Sequence, residues 1–101
     1  APYPVHLTAI NMKNKDIELT SNKIYKSLNE AGLEVLYDDR DNVSPGFKFK
    51  DADLLGMPVH VIIGEKGLKN NQAEVKLRRT GQRTMVPMDD LISTVKKLLA
   101  D

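Results

Sequence analysis

Cysteine is absent from the 101 residues, which removes disulfide frameworks, thiolate metal sites and cysteine nucleophiles together. The absence is what a reducing compartment permits. No apolar stretch approaches the roughly 20 residues needed to cross a bilayer. Ala1-Pro2-Tyr3-Pro4 has neither the basic segment nor the apolar centre of a signal peptide. A cytoplasmic chain without a membrane partner is therefore expected. Net charge is only +1, so affinity for nucleic acid has to come from local charge. Neither a GxxxxGKS/T loop nor a GxGxxG turn follows any predicted strand, which excludes nucleotide binding by those two routes.

Imidazole is scarce too. The two histidines, His6 and His60, both fall in predicted strands, where a histidine is more often packed and hydrogen-bonded than a general base. Asp38, Asp39, Asp41, Asp51 and Asp53 invite comparison with the magnesium pocket of phospho-receiver domains. That pocket also needs acids at the end of the first strand, where Ile10-Asn11-Met12 stands instead. Solvated loop acids are the simpler reading, and no catalytic, metal or cofactor site is expected in this chain.

Hydrophobic residues make up 41% and charged residues 29%, enough apolar surface for one folded domain and too much for a disordered tail. One domain over residues 1–101 is expected, and a start at Ala1 without methionine suggests processing or excision from something longer. Val5 to Ile10 reads as a first strand. Ile17, Ser21, Ile24, Leu28 and Ala31 make the stripe of an amphipathic helix over 15–31, ended by Gly32. Leu33 to Tyr37 is a short strand, and Phe47 to Leu55 a short helix closed by Gly56. Pro58 to Ile63 is nearly continuous apolar sequence, as a central strand covered on both faces requires. Ala73 to Arg79 alternates, with Ala73, Val75 and Leu77 opposed to Glu74, Lys76 and Arg78. Thr80-Gly81 offers a two-residue turn into a strand over 82–86, and Leu91, Ile92, Val95, Leu98 and Leu99 stripe a last helix. Right-handed crossovers then give an α/β fold, a three-layer α/β/α sandwich. Its five-stranded mixed sheet has a parallel core, an added antiparallel hairpin and three helices.

Local charge carries more information than net charge. Between Gly64 and Thr84 six basic residues (Lys66, Lys69, Lys76, Arg78, Arg79, Arg83) face two acidic ones (Glu65, Glu74). Such a stretch serves equally as a soluble edge hairpin, protected against edge-to-edge pairing, or as an RNA-binding surface.

The stretch Asp38-Asp39-Arg40-Asp41, then Pro45-Gly46-Phe47-Lys48-Phe49, Asp51-Ala52-Asp53-Leu54, Gly56 and Pro58 decides between them. It resembles the DDR...PGxKFxDADLxGxP signature of prolyl-tRNA synthetase anticodon-binding domains of bacterial type, which belong to class II synthetases. The likeness continues through the Gly64-Glu65-Lys66-Gly67-Leu68 turn, the Arg78-Arg79-Thr80-Gly81 hairpin and the Val86-Pro87-Met88-Asp89 entry to the last helix, and so covers the chain from Val5 onward. Asn42-Val43-Ser44 before Pro45 departs from the common spacing, and Lys50 stands where many members have alanine. Threonyl, glycyl and histidyl enzymes share the fold, but their loops resemble this one less.

The resemblance implies a non-catalytic module that grips the anticodon stem-loop of proline tRNA and reads its guanines. It implies a separate catalytic domain, holding ATP and magnesium, in a dimeric parent; the isolated domain is expected to be a monomer. Single-stranded bases are read by stacking and at their Watson–Crick edges. A carboxylate suits the N1–H and N2 amine of guanine, and a lysine or arginine suits its O6. Carried over by position, the base-contacting residues are Phe49, Asp53, His60 and Lys66. Phe49 is as readily core, Asp53 a surface charge and His60 a buried structural residue. Arg40, Lys76 and Arg78 are assigned to phosphates, although Arg40 paired with Asp38 or Asp41 would instead brace the loop. The rival from another class is an accessory or protein-interaction domain of this fold that has lost tRNA reading and, with it, the base-contacting set.

Overall fold

The computed structural model describes residues 4–10, 14–38 and 58–100. Five strands form one sheet in the order β2-β1-β3-β4-β5: β1 Val5–Ala9, β2 Val35–Asp38, β3 Val59–Ile63, β4 Gln72–Leu77 and β5 Arg83–Pro87. β1 pairs in parallel with β2 and β3, whereas β4 runs antiparallel to both β3 and β5. This is the expected parallel core with an added hairpin. Every residue of β1 and β3 is buried, so the apolar run at Pro58 to Ile63 does lie at the centre of the sheet. β4, between β3 and the edge strand β5, alternates instead, with Ala73 and Val75 buried between half-buried neighbours.

One face of the sheet carries Val5, Leu7, Ala9, Val35, Val59, Val61, Ile63, Ala73, Val75 and Val86 into a single apolar core. Ile17, Ile24 and Leu28 of helix α1 (Lys15–Glu30) and Leu91 and Val95 of the last helix join the same cluster. Here α2 denotes Glu65–Lys69, and α3 denotes Leu91–Ala100, which a 3-10 turn at Met88–Asp90 precedes. The opposite face of β1 and β3 carries His6, Thr8, His60 and Ile62, all at most 3% exposed. The central strands are thus covered on both faces, as a three-layer sandwich requires. The helix expected over 47–55 and the acids Asp39, Asp41, Asp51 and Asp53 lie outside the described residues.

Helix α1 is bounded by side-chain and main-chain hydrogen bonds. Asn14 caps its start, its Oδ1 accepting from the backbone N–H of Asp16 at 2.9 Å and of Ile17 at 3.4 Å. At the other end Leu33 N donates to Leu28 O (3.1 Å) and Gly32 N to Asn29 O (3.0 Å). This is a Schellman closure, with Gly32 at φ +86°. The closure consumes Leu33, which is why β2 begins at Val35 rather than at Leu33. Asn14→Ala should lower unfolding free energy by about 1 kcal/mol, read as a shifted urea midpoint at unchanged slope. An unchanged midpoint would show that Asn14 does not cap the helix in solution.

Two local expectations are corrected. The segment after β3, expected as a turn, is the short helix α2, whose first bond runs from Leu68 N to Gly64 O at 2.9 Å. Five residues are too few for a helical period to show in sequence. The β4–β5 connection spans Arg78 to Gly81 rather than two residues, because Lys76 pairs with Arg83 and Leu77 N donates to Gln82 O at 3.0 Å. Gly81 holds the left-handed position at φ +72°, with its N–H on Leu77 O at 2.8 Å.

Candidate nucleic-acid interface

The register sorts the non-core face of β3, β4 and β5 into rows. His60 lies beside Lys76 and Lys76 beside Arg83, giving one row across three strands. Two residues along, Ile62 lies beside Glu74 and Glu74 beside Met85. Strand alternation points both rows away from Ala73, Val75 and the core. The charges that sequence alone could only count are thereby placed: Lys76 and Arg83 share the open face, Arg78 and Arg79 sit exposed in the hairpin loop, and Lys66 and Lys69 are exposed on α2.

Where β3 ends, α2 folds back over this face and closes a cleft of about 760 Å³. Ile10, Ile62 and Met85 supply its apolar lining, and Glu65, Lys66, Asn70, Gln72 and Glu74 its polar one. α2 reaches this position because Gly67 is buried against β4: a Cβ there would stand 2.7 Å from Gln72 O and 3.1 Å from Met85 Cε. Asn70 Nδ2 donates to the Lys66 carbonyl at 3.3 Å, and Asn14 Nδ2 donates to Glu65 Oε1 at 3.3 Å. The second contact ties the start of α2 to the start of α1. Glu74 meets Arg83 at 3.6 Å, with side chains 26% and 52% exposed; so open an ion pair adds little stability.

Of the seven residues assigned to RNA, Arg40, Phe49 and Asp53 lie outside the described residues. Lys66 is exposed and lines the cleft. Lys76 is half-buried in the cationic row, and Arg78 is exposed at the start of the hairpin loop, its N–H bonded to Pro58 O at 3.0 Å. His60 is 1% exposed. Its ring stands edge-on to His6 at 5.7 Å and 69°, and His6 Nδ1 lies 3.0 Å from Thr8 Oγ1. The structure therefore brings Lys66 and Lys76 to one face and buries His60 on that same face, beside Lys76. Sequence reasoning missed Ile62, Glu74 and Met85 as a group; only the register of three strands makes them neighbours.

Such a surface offers what a single-stranded RNA loop needs, an apolar notch for a base beside cations for the backbone. A family model described as "Anticodon binding domain" matches residues 5–98. Over 96 residues the chain is 43% identical to a proline–tRNA ligase of Geobacter sp. strain M21, covering 95% of this chain and 17% of that protein. It is 50% identical over 95 residues to a proline–tRNA ligase of Nocardioides sp. strain JS614, covering 94% of this chain and 16% of the relative. Among solved structures, a prolyl-tRNA synthetase from Cryptosporidium parvum, crystallised with halofuginone and AMPPNP, superposes with a TM-score of 0.91 at 26% identity. That match covers 99% of this chain and 21% of the other. The chain thus spans about a sixth of the length of the curated relatives it matches.

Proposed function

The chain belongs to the anticodon-binding domain family, in the form carried by prolyl-tRNA synthetases, and from that membership we propose that it grips the anticodon stem-loop of proline tRNA. In this reading it reads the anticodon guanines so that a parent synthetase ligates proline to that tRNA with ATP. The observation that carries the proposal is the cleft beneath α2, with Lys66 at its edge and the Lys76–Arg83 row alongside. Lys66 donates to a guanine O6, while Lys76 and Arg78 hold phosphates. Phe49 stacks a base, Asp53 accepts from a guanine edge and Arg40 meets the backbone. His60, buried beside Lys76 on the same face, packs against the reading surface rather than touching a base. ATP and magnesium belong to the parent's catalytic domain, the parent is a homodimer in the cytoplasm, and this domain alone is a monomer without catalytic activity. No helix among the described residues is long and apolar enough to cross a membrane.

Fluorescence titration of the chain with a proline anticodon stem-loop is the direct test. Binding should weaken steadily as salt rises, because each lysine or arginine on a phosphate releases counterions. It should weaken further when the anticodon guanines are replaced. Equal affinity for stem-loops with and without those guanines would defeat the proposal.

A further inference from the structure

We propose that Glu74 is a second guanine-reading carboxylate, accepting from N1–H and the N2 amine of a base whose ring lies against Met85. This rests on the anticodon reading given above. Its basis is the row Ile62–Glu74–Met85, in which one carboxylate stands between two apolar side chains of neighbouring strands. All three line the cleft. Ile62 is 3% exposed and forms a fixed floor, whereas Met85 is 45% exposed, an apolar surface left open where the cleft begins. The methionine is not loose, since its Cε rests in the notch that Gly67 leaves in α2. Its polarisable thioether suits the flat face of a base.

Glu74 fits one base better than the others. Guanine alone presents two adjacent donors on its Watson–Crick edge, and a carboxylate has two oxygens to accept them. Adenine and cytosine set a ring-nitrogen acceptor beside their amine, which a carboxylate repels. Uracil offers a single N–H between two carbonyls. Lys66 lines the same cleft and supplies a donor for O6, completing the complement to guanine. Arg83, at 3.6 Å, stands beyond good hydrogen-bond distance, so a base edge can take the Glu74 oxygens without breaking a tight fork.

The test titrates the chain with proline anticodon stem-loops carrying guanine or inosine at each anticodon guanine in turn. Inosine keeps N1–H and O6 and lacks only the N2 amine. The unmodified chain should prefer guanine by about tenfold at the position that Glu74 reads, whatever preference Asp53 gives elsewhere. Glu74→Gln preserves size, and circular dichroism should show it folded. It should bind the cognate stem-loop about tenfold more weakly, with the guanine-to-inosine ratio at that position falling towards one. Met85→Ala should weaken both stem-loops by a similar factor and keep the ratio. Arg83→Gln should also keep the ratio. An undiminished ratio in Glu74→Gln, or its loss in Arg83→Gln as well, overturns the assignment of Glu74 while leaving anticodon binding intact. Failure of the unmodified chain to distinguish cognate from guanine-free stem-loops overturns both readings.

Discussion

Gly67→Ala will cost the chain both stability and RNA affinity, although it adds a single methyl group. The new Cβ would stand 2.7 Å from Gln72 O, inside the closest approach that real side chains make. Gln72 opens β4, and the residue before it, Asn71, accepts from Met88 N at 2.9 Å, so the Gln72 carbonyl retreats only if this end of the β4–β5 hairpin shifts. α2 has to lift instead. Overpacking of this kind costs roughly 1–3 kcal/mol, and lifting α2 carries Lys66 away from Glu74 and releases Met85 from its notch. Gly32→Ala is the matched control, because Gly32 has φ +86° and nothing within 4 Å of an added Cβ. It should lose about 1 kcal/mol through backbone strain and keep its affinity, since it lies at the far end of α1. Urea unfolding and stem-loop titration of both variants, under conditions where each is folded, separate the two. Native affinity in Gly67→Ala would show that the placement of α2 does not govern the site.

How far this site was legible in the sequence depended on the range of the interactions that build it. Helix α1 announced itself because Ile17, Ser21, Ile24 and Leu28 repeat with the helical period, and all four are buried. The central strand was plain from its unbroken apolar run, and β4 from its alternation. α2 was not, because five residues show no period and its position depends on a glycine meeting the carbonyl of another element. Thr80-Gly81 does belong to the hairpin loop, with Gly81 left-handed, but the loop is two residues longer because the register that ends pairing at Leu77 and Gln82 is a property of two strands. Lys66 was found through resemblance to a family, and composition contributed the basic excess around it. Glu74 was counted only as one of two acids diluting that excess. Its place between Ile62 and Met85 arises from three strands separated in sequence, and nothing local encodes it.

Base readers and phosphate holders on this face should fail differently when mutated. Lys66→Ala should cost about 1 to 3 kcal/mol with the cognate anticodon and much less with a guanine-substituted one, so discrimination shrinks. The substitution leaves the scaffold alone, because the bonds that hold α2 run through its main chain and the Glu65 carboxylate, and Asn70 reaches the Lys66 carbonyl, not its ammonium. Lys76→Ala is equally mild for the fold. Lys76 is half-buried on the open face, and the neighbouring core residues Val75 and Leu77 point to the other one. The lysine lies in the cationic row beside Arg83, where a strand of RNA backbone would pass the cleft. Its loss should weaken every stem-loop by a similar factor and flatten the dependence of log affinity on log salt by about one unit, as removal of one phosphate contact requires. Selectivity should survive. Fluorescence titrations of the unmodified chain and both variants, each with cognate and guanine-substituted stem-loops at several salt concentrations, give all the slopes and ratios needed. If Lys66→Ala flattens the salt slope and spares discrimination as Lys76→Ala does, then Lys66 holds phosphate and the base lies elsewhere on the face.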